Sequence, residues 1–167
     1  MLKPLIVIIG IFLVTLNPSI SYAEHSVGFA AGSTTGFGVT YRYLPDPESN
    51  NNLGWQVTGL PVITKHVGVI SAGVTGIYLL HRGNAGLVYG SLGVGTIYRW
   101  DNCGDELEDL TCKESRWGVG FGPGVGFEFR LIENFAFAID VPLAVIFADG
   151  GFEGIYPIPN GSLVYYW

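Results

Sequence analysis

Two long segments of the chain alternate between bulky and small side chains, and this period of two constrains the fold more than any other feature. Over residues 116–131 every odd position is apolar, whereas the even positions hold glycine, arginine or glutamate. Over residues 135–148 the odd positions are again apolar and the even positions are mostly alanine. Because successive side chains of a β-strand point to opposite faces, each segment predicts a strand with one bulky and one small face.

Weaker copies of the same alternation run from residue 26 to the end of the chain, and glycine at 25 of 167 positions disfavours helices. The pattern predicts eight strands in up-and-down order. Their expected bounds are 26–32, 36–45, 53–63, 69–82, 87–100, 115–131, 135–148 and 160–167. Three of these strands contain a proline, at Pro61, Pro123 and Pro142, where a ladder donor is lost and a β-bulge is expected.

The bulk of the apolar faces decides which way they point. Eight strands enclose a lumen only just wide enough for side chains, so rows of Phe, Tyr and Trp do not fit inside. Turned outward, these rings meet lipid, and the glycines fill the lumen. The outward sets carry no charge, as the cost of arginine or lysine in a bilayer requires. The predicted fold is therefore all-β, a closed eight-stranded antiparallel up-and-down transmembrane β-barrel without an unpaired edge.

The first 23 residues predict a cleavable signal peptide, which leaves residues 24–167 as the barrel. Lys3 precedes a short apolar run over 5–16, and Ala23 ends a small-x-small cleavage pattern. Export with both barrel ends in the periplasm makes the connections at 46–52, 83–86 and 132–134 periplasmic. Those at 33–35, 64–68, 101–114 and 149–159 are then external. The net charge of −6, without a basic run, argues against nucleic-acid binding.

The last strand carries a recognisable pattern. Trp167 ends the chain, and Tyr165 and Leu163 precede it at every second position. This segment resembles the C-terminal signature of bacterial outer-membrane barrels, and the whole chain resembles the small eight-stranded class that includes OmpX, the OmpA membrane domain and the opacity proteins. The resemblance implies insertion into the outer membrane, contact with its lipids, and recognition of these three residues by the barrel-assembly machinery. The very short first external connection departs from the class.

Charged residues on the predicted lumen faces indicate an internal ion-pair network. The residues concerned are Arg42, His81, Glu128, Arg130 and Asp140. Charges buried in a membrane protein pair with one another, and here a structural role is expected rather than catalysis or conduction.

The longest external connection contains Cys103 and Cys112, which predict a disulfide in an oxidising compartment. The same segment is acidic, with Asp101, Asp105, Glu106, Glu108 and Asp109. These acids are interpreted as a solvated charge run, with a divalent cation or a basic partner surface as alternatives. Neither a metal site nor a cofactor is predicted, because the cysteines lack the spacing and neighbouring histidines that a metal needs.

Function follows only coarsely from these features. The first hypothesis is a non-enzymatic barrel with a structural or adhesion-like surface role, meeting a host or surface partner through 101–114 and 149–159. The alternative is an outer-leaflet lipid A-modifying enzyme of the acyl hydrolase or acyltransferase type. A nucleophile needs a base within reach, and His25, His66 and His81 have no evident serine partner. A small pore is the third hypothesis, disfavoured by the filled lumen.

Overall fold

The computed structural model describes residues 24–46, 50–64, 67–83, 86–102, 113–132 and 134–167. The described residues form nine strands. They are β1 Glu24–Gly32, β2 Gly36–Leu44, β3 Leu53–Ile63, β4 Val67–Gly83, β5 Gly86–Asn102, β6 Lys113–Ile132, β7 Phe135–Ala148, β8 Gly151–Pro157 and β9 Asn160–Tyr166. No helix in the described parts of the chain is long and apolar enough to cross a membrane. The predicted signal peptide over 1–23 lies outside the described residues.

All strand pairs are antiparallel, and the sheet closes on itself. Each strand from β1 to β7 pairs with the next along the chain, and β9 joins β7 to β1. Strands β8 and β9 lie on β7 in the same register, from Leu143–Pro157 to Asp140–Asn160, so together they form one interrupted eighth strand. The predicted closed eight-stranded antiparallel barrel is confirmed.

The last connection differs from its prediction as an external loop over 149–159. It is a hairpin, in which β8 pairs with β7 from Leu143 to Ala148. Asp149 and Gly150 form its turn, with φ angles of 47° and 86°. Positive φ at both central residues is the property of the two-residue turns that match the twist of paired strands, and Asp-Gly is a preferred sequence for them.

The expected bulges at the three prolines are wrong. The register shifts lie instead at Leu79/His81, Arg130/Ile132 and Ile146/Phe147. The prolines stand where a ladder is missing. Pro61 lies on a stretch of β3 that pairs with β4 alone, and Pro142 lies where β9 gives way to β8. A residue without an amide hydrogen costs little at such places, so no extra residue is needed.

The bulky faces point outward as predicted. Phe29 is 67% exposed and Leu92 is 65% exposed, whereas the inward Thr40 is fully buried. Most inward positions hold glycine, alanine, hydroxyl side chains or a few charged or amide groups, and one buried apolar cluster includes Leu44, Ile77, Leu87, Tyr89 and Tyr166. An outer surface of this kind is stable only against hydrocarbon, which makes the barrel a membrane-spanning one.

Aromatic rings collect near the end of the barrel that holds Glu24 and Trp167, which we term the terminal end. His25 lies 5.3 Å from the Tyr43 ring, and Tyr41 lies 5.3 Å from Trp55. Tyr98 and Trp100 pair near the opposite, distal end, with centroids 5.5 Å apart. Rings with an apolar body and a polar atom suit the two membrane interfaces, so these clusters mark the edges of the apolar band.

The outward orientation predicts a depth-dependent cost of charge. Val125 lies midway along β6 and is 53% exposed. The substitution Val125→Arg should lower the free energy of unfolding by about 2–4 kcal/mol. Ile132→Arg, at the end of the same strand, serves as control and should cost about 0–1 kcal/mol. The measurement is equilibrium unfolding in urea of protein refolded into bilayers. Equal costs at both positions would contradict the assignment.

Candidate functional site: the lumen and its distal end

The turn between β1 and β2 folds into the barrel instead of projecting from it. Thr34 and Thr35 are 1% and 4% exposed. The amide of Phe37 donates to the Ser71 hydroxyl on β4 at 2.9 Å, a contact that passes over β3. Gly36 and Gly38 have φ angles of 74° and 138°, which side-chain-bearing residues rarely adopt, and they permit this inward path. The turn therefore occupies the distal half of the lumen.

Glycines on the facing strands provide the room for this turn. A β-carbon on Gly93 would lie 2.7 Å from the Thr34 carbonyl oxygen, and one on Gly95 would lie 2.9 Å from that of Ser33. β-Carbons on Gly73 and Gly120 would collide with the carbonyl oxygens of Thr35 and Ser33. Much of the inward glycine is thus explained by close approach of the turn backbone, in addition to the narrowness of the lumen.

Below the turn, Asp140 is the centre of a small polar cluster. The Asn160 side-chain amide donates to its carboxylate at 2.9 Å and also lies 2.9 Å from the Thr34 hydroxyl. The Ser91 hydroxyl lies 3.4 Å from the same carboxylate oxygen. These contacts attach the turn to β5, β7 and β9, so the cluster fixes the turn inside the barrel.

Closer to the terminal end, a buried ion pair joins opposite walls. Arg42 on β2 pairs with Glu128 on β6, and both side chains are nearly inaccessible to solvent. The guanidinium also donates to Gln56 at 2.6 and 2.8 Å and to the Ser162 hydroxyl at 3.0 Å. The Tyr166 hydroxyl donates to the Glu128 carboxylate at 2.8 Å. Two charges satisfied in this way form a cross-lumen brace rather than a free reactive group.

The charged residues at the terminal end are separate from that brace. Arg130 pairs with Glu24, and Arg82 lies 4.0 Å from the same carboxylate. These groups, with His81, line an open cavity of about 540 Å³ at the terminal mouth. Their partial exposure makes the ion pairs weaker than the buried one.

The five residues of the predicted lumen network therefore fall into three places. Arg42 and Glu128 pair directly, whereas Asp140 belongs to the cluster below the turn. Arg130 and His81 lie at the terminal mouth. Arg130 pairs there with Glu24 and not with Glu128, because Arg42 reaches Glu128 from the opposite wall. Among the described residues, no group of three or more His, Cys, Asp or Glu side chains is arranged to hold a metal ion.

The other predicted residues are placed as follows. Leu163 and Tyr165 lie on β9, which pairs with β1, and the amide of Trp167 donates to the His25 carbonyl at 3.1 Å. The sites of Cys103 and Cys112, with the acids at 105–109, lie outside the described residues. The disulfide and the assembly role stay predictions.

Sequence reasoning missed the inward turn and the last hairpin. The pair Asp149-Gly150 between apolar segments is a strong hairpin signal, and it was present in the sequence. The β1–β2 turn is indicated only weakly in the sequence, by a connection of three residues and by glycines on three other strands. Those strands become neighbours of the turn only when the barrel closes, so local pattern alone does not reveal the contact.

No protein-family model and no curated protein matches the sequence. Among solved structures, the N-terminal β-barrel domain of Pseudomonas aeruginosa OprF is 10% identical, with a TM-score of 0.47, over 87% of this chain and 96% of that one. Ail, the attachment invasion locus protein of Yersinia pestis, is 17% identical, with a TM-score of 0.42, over 87% and 97%. Neisserial surface protein A is 14% identical, with a TM-score of 0.37, over 86% and 91%.

These likenesses concern the barrel architecture alone. The class predicted from the sequence, small eight-stranded barrels of the bacterial outer membrane without a single identified family, agrees with them. The exposed apolar side chains of the outer surface fit the membrane location predicted from the sequence.

The buried brace predicts a large effect of a small change. Glu128→Gln keeps the shape of the side chain but leaves Arg42 without its counter-charge, and the free energy of unfolding should fall by about 3–5 kcal/mol. Arg130→Gln is the matched control, since it removes a half-exposed pair and should cost about 0–1 kcal/mol. Urea unfolding measures both, and a Glu128→Gln protein as stable as the control would show that the brace contributes nothing.

The inward turn predicts that glycine is required opposite it. Gly120→Val places side-chain atoms on the Ser33 carbonyl and should destabilise the barrel by about 1–3 kcal/mol. Gly90→Val adds the same side chain on the outward face of β5, where the nearest atom to a β-carbon is 4.0 Å away, and should be tolerated. Thermal unfolding in the same detergent compares the two, and the account fails if Gly120→Val is tolerated equally well.

Proposed function

We propose that the protein is a non-conducting, non-enzymatic barrel of the bacterial outer membrane that presents its distal connections as a contact surface. The observation that carries the proposal is the contrast between a filled lumen and a long distal hairpin. The lumen holds the Arg42–Glu128 brace and the inward turn, whereas β5 and β6 extend to 17 and 20 residues. A strand crosses a bilayer in about 9–11 residues, so this hairpin continues beyond it.

The distal hairpin carries the features that suit a contact surface. Its last paired residues are Asn102 and Lys113, and the segment between them contains both cysteines and four acidic residues. A disulfide between Cys103 and Cys112 would hold a short acidic tip at the end of paired strands. We propose that this tip, with the Asp149-Gly150 turn of the connection at 149–159, meets a partner with a basic surface.

Charge argues against a polyanionic partner for this tip. Ail of Yersinia pestis has been solved with the heparin analogue sucrose octasulfate, which is a polyanion. The segment at 103–112 contains Asp105, Glu106, Glu108 and Asp109 against one flanking Lys113, so it would repel such a ligand. The negative charge of this segment therefore favours a basic partner over a polyanionic one.

Delivery to the membrane is part of the proposal. Residues 1–23 would direct export and be removed, and the alternating Leu163, Tyr165 and Trp167 would be recognised by the barrel-assembly machinery. The strand that contains them forms the seam with β1, so its recognition and barrel closure involve the same segment.

The histidine contacts favour this proposal over a lipid-modifying enzyme. The His25 ring forms a hydrogen bond of 2.5 Å with the Tyr41 hydroxyl in the terminal aromatic cluster. His81 lines the cavity at the terminal mouth. The buried serines near the distal half have other partners, since Ser71 donates to the Thr96 carbonyl and Ser91 faces Asp140. His66 lies outside the described residues.

The contact surface is tested by removing its tip. Replacing residues 103–112 with Asn-Gly, a two-residue hairpin turn, should leave the barrel folded and abolish retention of expressing cells on a polylysine-coated surface. The neutralised variant Asp105→Asn/Glu106→Gln/Glu108→Gln/Asp109→Asn should lose most of it as well. Glu48→Gln, in the connection that the sequence predicts to be periplasmic, is the control. Wild-type retention in the tip variants, at equal surface level, would refute the contact role.

The two alternatives have direct tests of their own. In planar bilayers the purified barrel should give no steady conductance, because the brace and the turn fill the lumen. Lipid A incubated with the protein should keep its acyl chains by mass spectrometry. Steady channels would establish the pore, and acyl loss or transfer would establish the enzyme.

A further inference from the structure

The barrel wall is incomplete at its distal end, between β3 and β8. The β2 ladder on β3 ends at Val39–Gly59, and the β1 ladder on β9 ends at Ala31–Gly161. Beyond these pairs, β3 continues to Ile63 with β4 as its partner, and β8 pairs with β7. The two strand edges face each other across the place of two absent strands. At about 4.8 Å per strand spacing, this distal notch is roughly 14 Å wide.

The notch opens into a cup whose floor is the inward turn. This distal cup has a volume of about 200 Å³, and its apolar wall consists of the inward side chains of Ile97 and Ile146 among glycines of β5 and β6. Its polar lining residues are Ser33 of the turn, Ser71 on β4 and Thr96 on β5, and the Ser71 hydroxyl already bonds to the Thr96 carbonyl. A cup with apolar walls accepts hydrocarbon more readily than a charged or strongly polar ligand.

The apolar outer surface continues through the notch. Ile63 and Val62 on the β3 edge are 68% and 43% exposed, and Ile155 and Phe152 on β8 are 60% and 61% exposed. Ile155 lies opposite Val145 on the outward face of β7. The surface that meets lipid around the barrel is therefore continuous with the edges of the notch, so lipid chains reach it without crossing a polar barrier.

Two arginines lie at the top of the cup, and the next cross-strand pair on the same strand faces is Asp101–Glu114. Arg99 and Arg116 are cross-strand partners on β5 and β6, two residues beyond Ile97 and Gly118 on the same strand faces. Both side chains are exposed. Guanidinium groups form charge-assisted hydrogen bonds with phosphate and carboxylate, which suits an anionic headgroup next to an apolar cavity.

We propose that an acyl chain of an anionic lipid from the surrounding outer leaflet enters the distal notch and lies in the distal cup. Its headgroup sits toward Arg99 and Arg116, and its glycerol or sugar oxygens meet the backbone groups at the notch edges. Unpaired strand edges are costly in hydrocarbon, and polar atoms of the lipid reduce that cost. Pro61 removes one donor from the β3 edge. The proposal depends on the membrane location and is independent of the contact role of the tip.

The test maps which residues touch lipid chains. Wild-type protein in nanodiscs of phosphatidylglycerol and phosphatidylcholine, containing phosphatidylglycerol with a diazirine at the chain end, is irradiated and analysed by mass spectrometry. Labels are expected on Ile97 and Ile146 inside the wall, as well as on the outward Val94 and Val125. Ile77 and Tyr89, buried below the turn, should stay unlabelled. Labels confined to outward residues would overturn the proposal.

A filled cup provides the matched comparison. A β-carbon on Gly118 would lie 3.5 Å from Ile97 and 3.8 Å from the Phe147 carbonyl, so Gly118→Leu fits sterically and occupies the cup. It should lose the labels on Ile97 and Ile146 and keep those on Val94 and Val125. Gly90→Leu adds the same side chain outside the barrel and should keep all four. Inner labels that persist in Gly118→Leu would also overturn the proposal.

Other occupants of the notch give different results. A second copy of the chain, paired with the β3 or β8 edge, would appear as dimers on native mass spectrometry of the nanodiscs and would block the inner labels. A neutral lipid would label Ile97 and Ile146 equally when the diazirine is carried by phosphatidylcholine instead. Dimers without inner labels, or equal labelling by the two lipids, contradict the anionic-lipid proposal.

Discussion

The narrowness of an eight-stranded barrel is the constraint on which the rest of the structure depends. Its interior has room for a few large side chains, such as Tyr89 and Tyr166, but not for the rows of rings that this chain carries, so most rings face outward and most inward residues are small. The same narrowness requires that whatever enters the lumen replaces side chains. Here the β1–β2 turn enters the lumen, and it fits because Gly73, Gly93 and Gly120 opposite it have no side chains. The limited volume of the lumen thus accounts for the small inward residues and for the way the β1–β2 turn fills the lumen.

The charged side chains buried inside this limit are paired or hydrogen-bonded. Arg42 meets Glu128, Gln56 and Ser162, and Asp140 meets Asn160. A buried charge without a partner costs free energy of folding. The Arg42–Glu128 pair and the Asp140 cluster therefore stabilise the barrel by joining its walls. Function is accordingly sought at the distal rim and beyond it, where the wall opens and the long hairpin extends.

The sequence was informative wherever one face of a strand met lipid. The period of two placed the eight strands within a few residues, and the bulk of Phe121, Phe127 and Phe137 determined their orientation. Prolines were harder to interpret. Pro61 and Pro142 signal a missing neighbour as well as a bulge, and only the closed sheet distinguishes the two.

Contacts across the lumen were beyond the reach of local pattern. Arg42, Glu128 and Arg130 share inward faces, so parity alone allowed either arginine to meet the glutamate. The choice depends on strand order and stagger around the barrel, which bring Arg42 across from the opposite wall and direct Arg130 to Glu24. The inward path of the first turn depends likewise on three strands that are distant in sequence.

Reactivity of the first turn tests the central claim most directly. In a Cys103→Ser/Cys112→Ser background, Thr34→Cys is compared with Glu153→Cys, at an exposed position of the β7–β8 hairpin, using a membrane-impermeant maleimide on folded protein. Thr34 is 1% exposed, so its cysteine should stay unmodified until the barrel is denatured, while the Glu153 position reacts at once. Equally rapid modification of both cysteines would mean that the turn projects outward, and the account of the glycines, the closed lumen and the distal cup would be wrong.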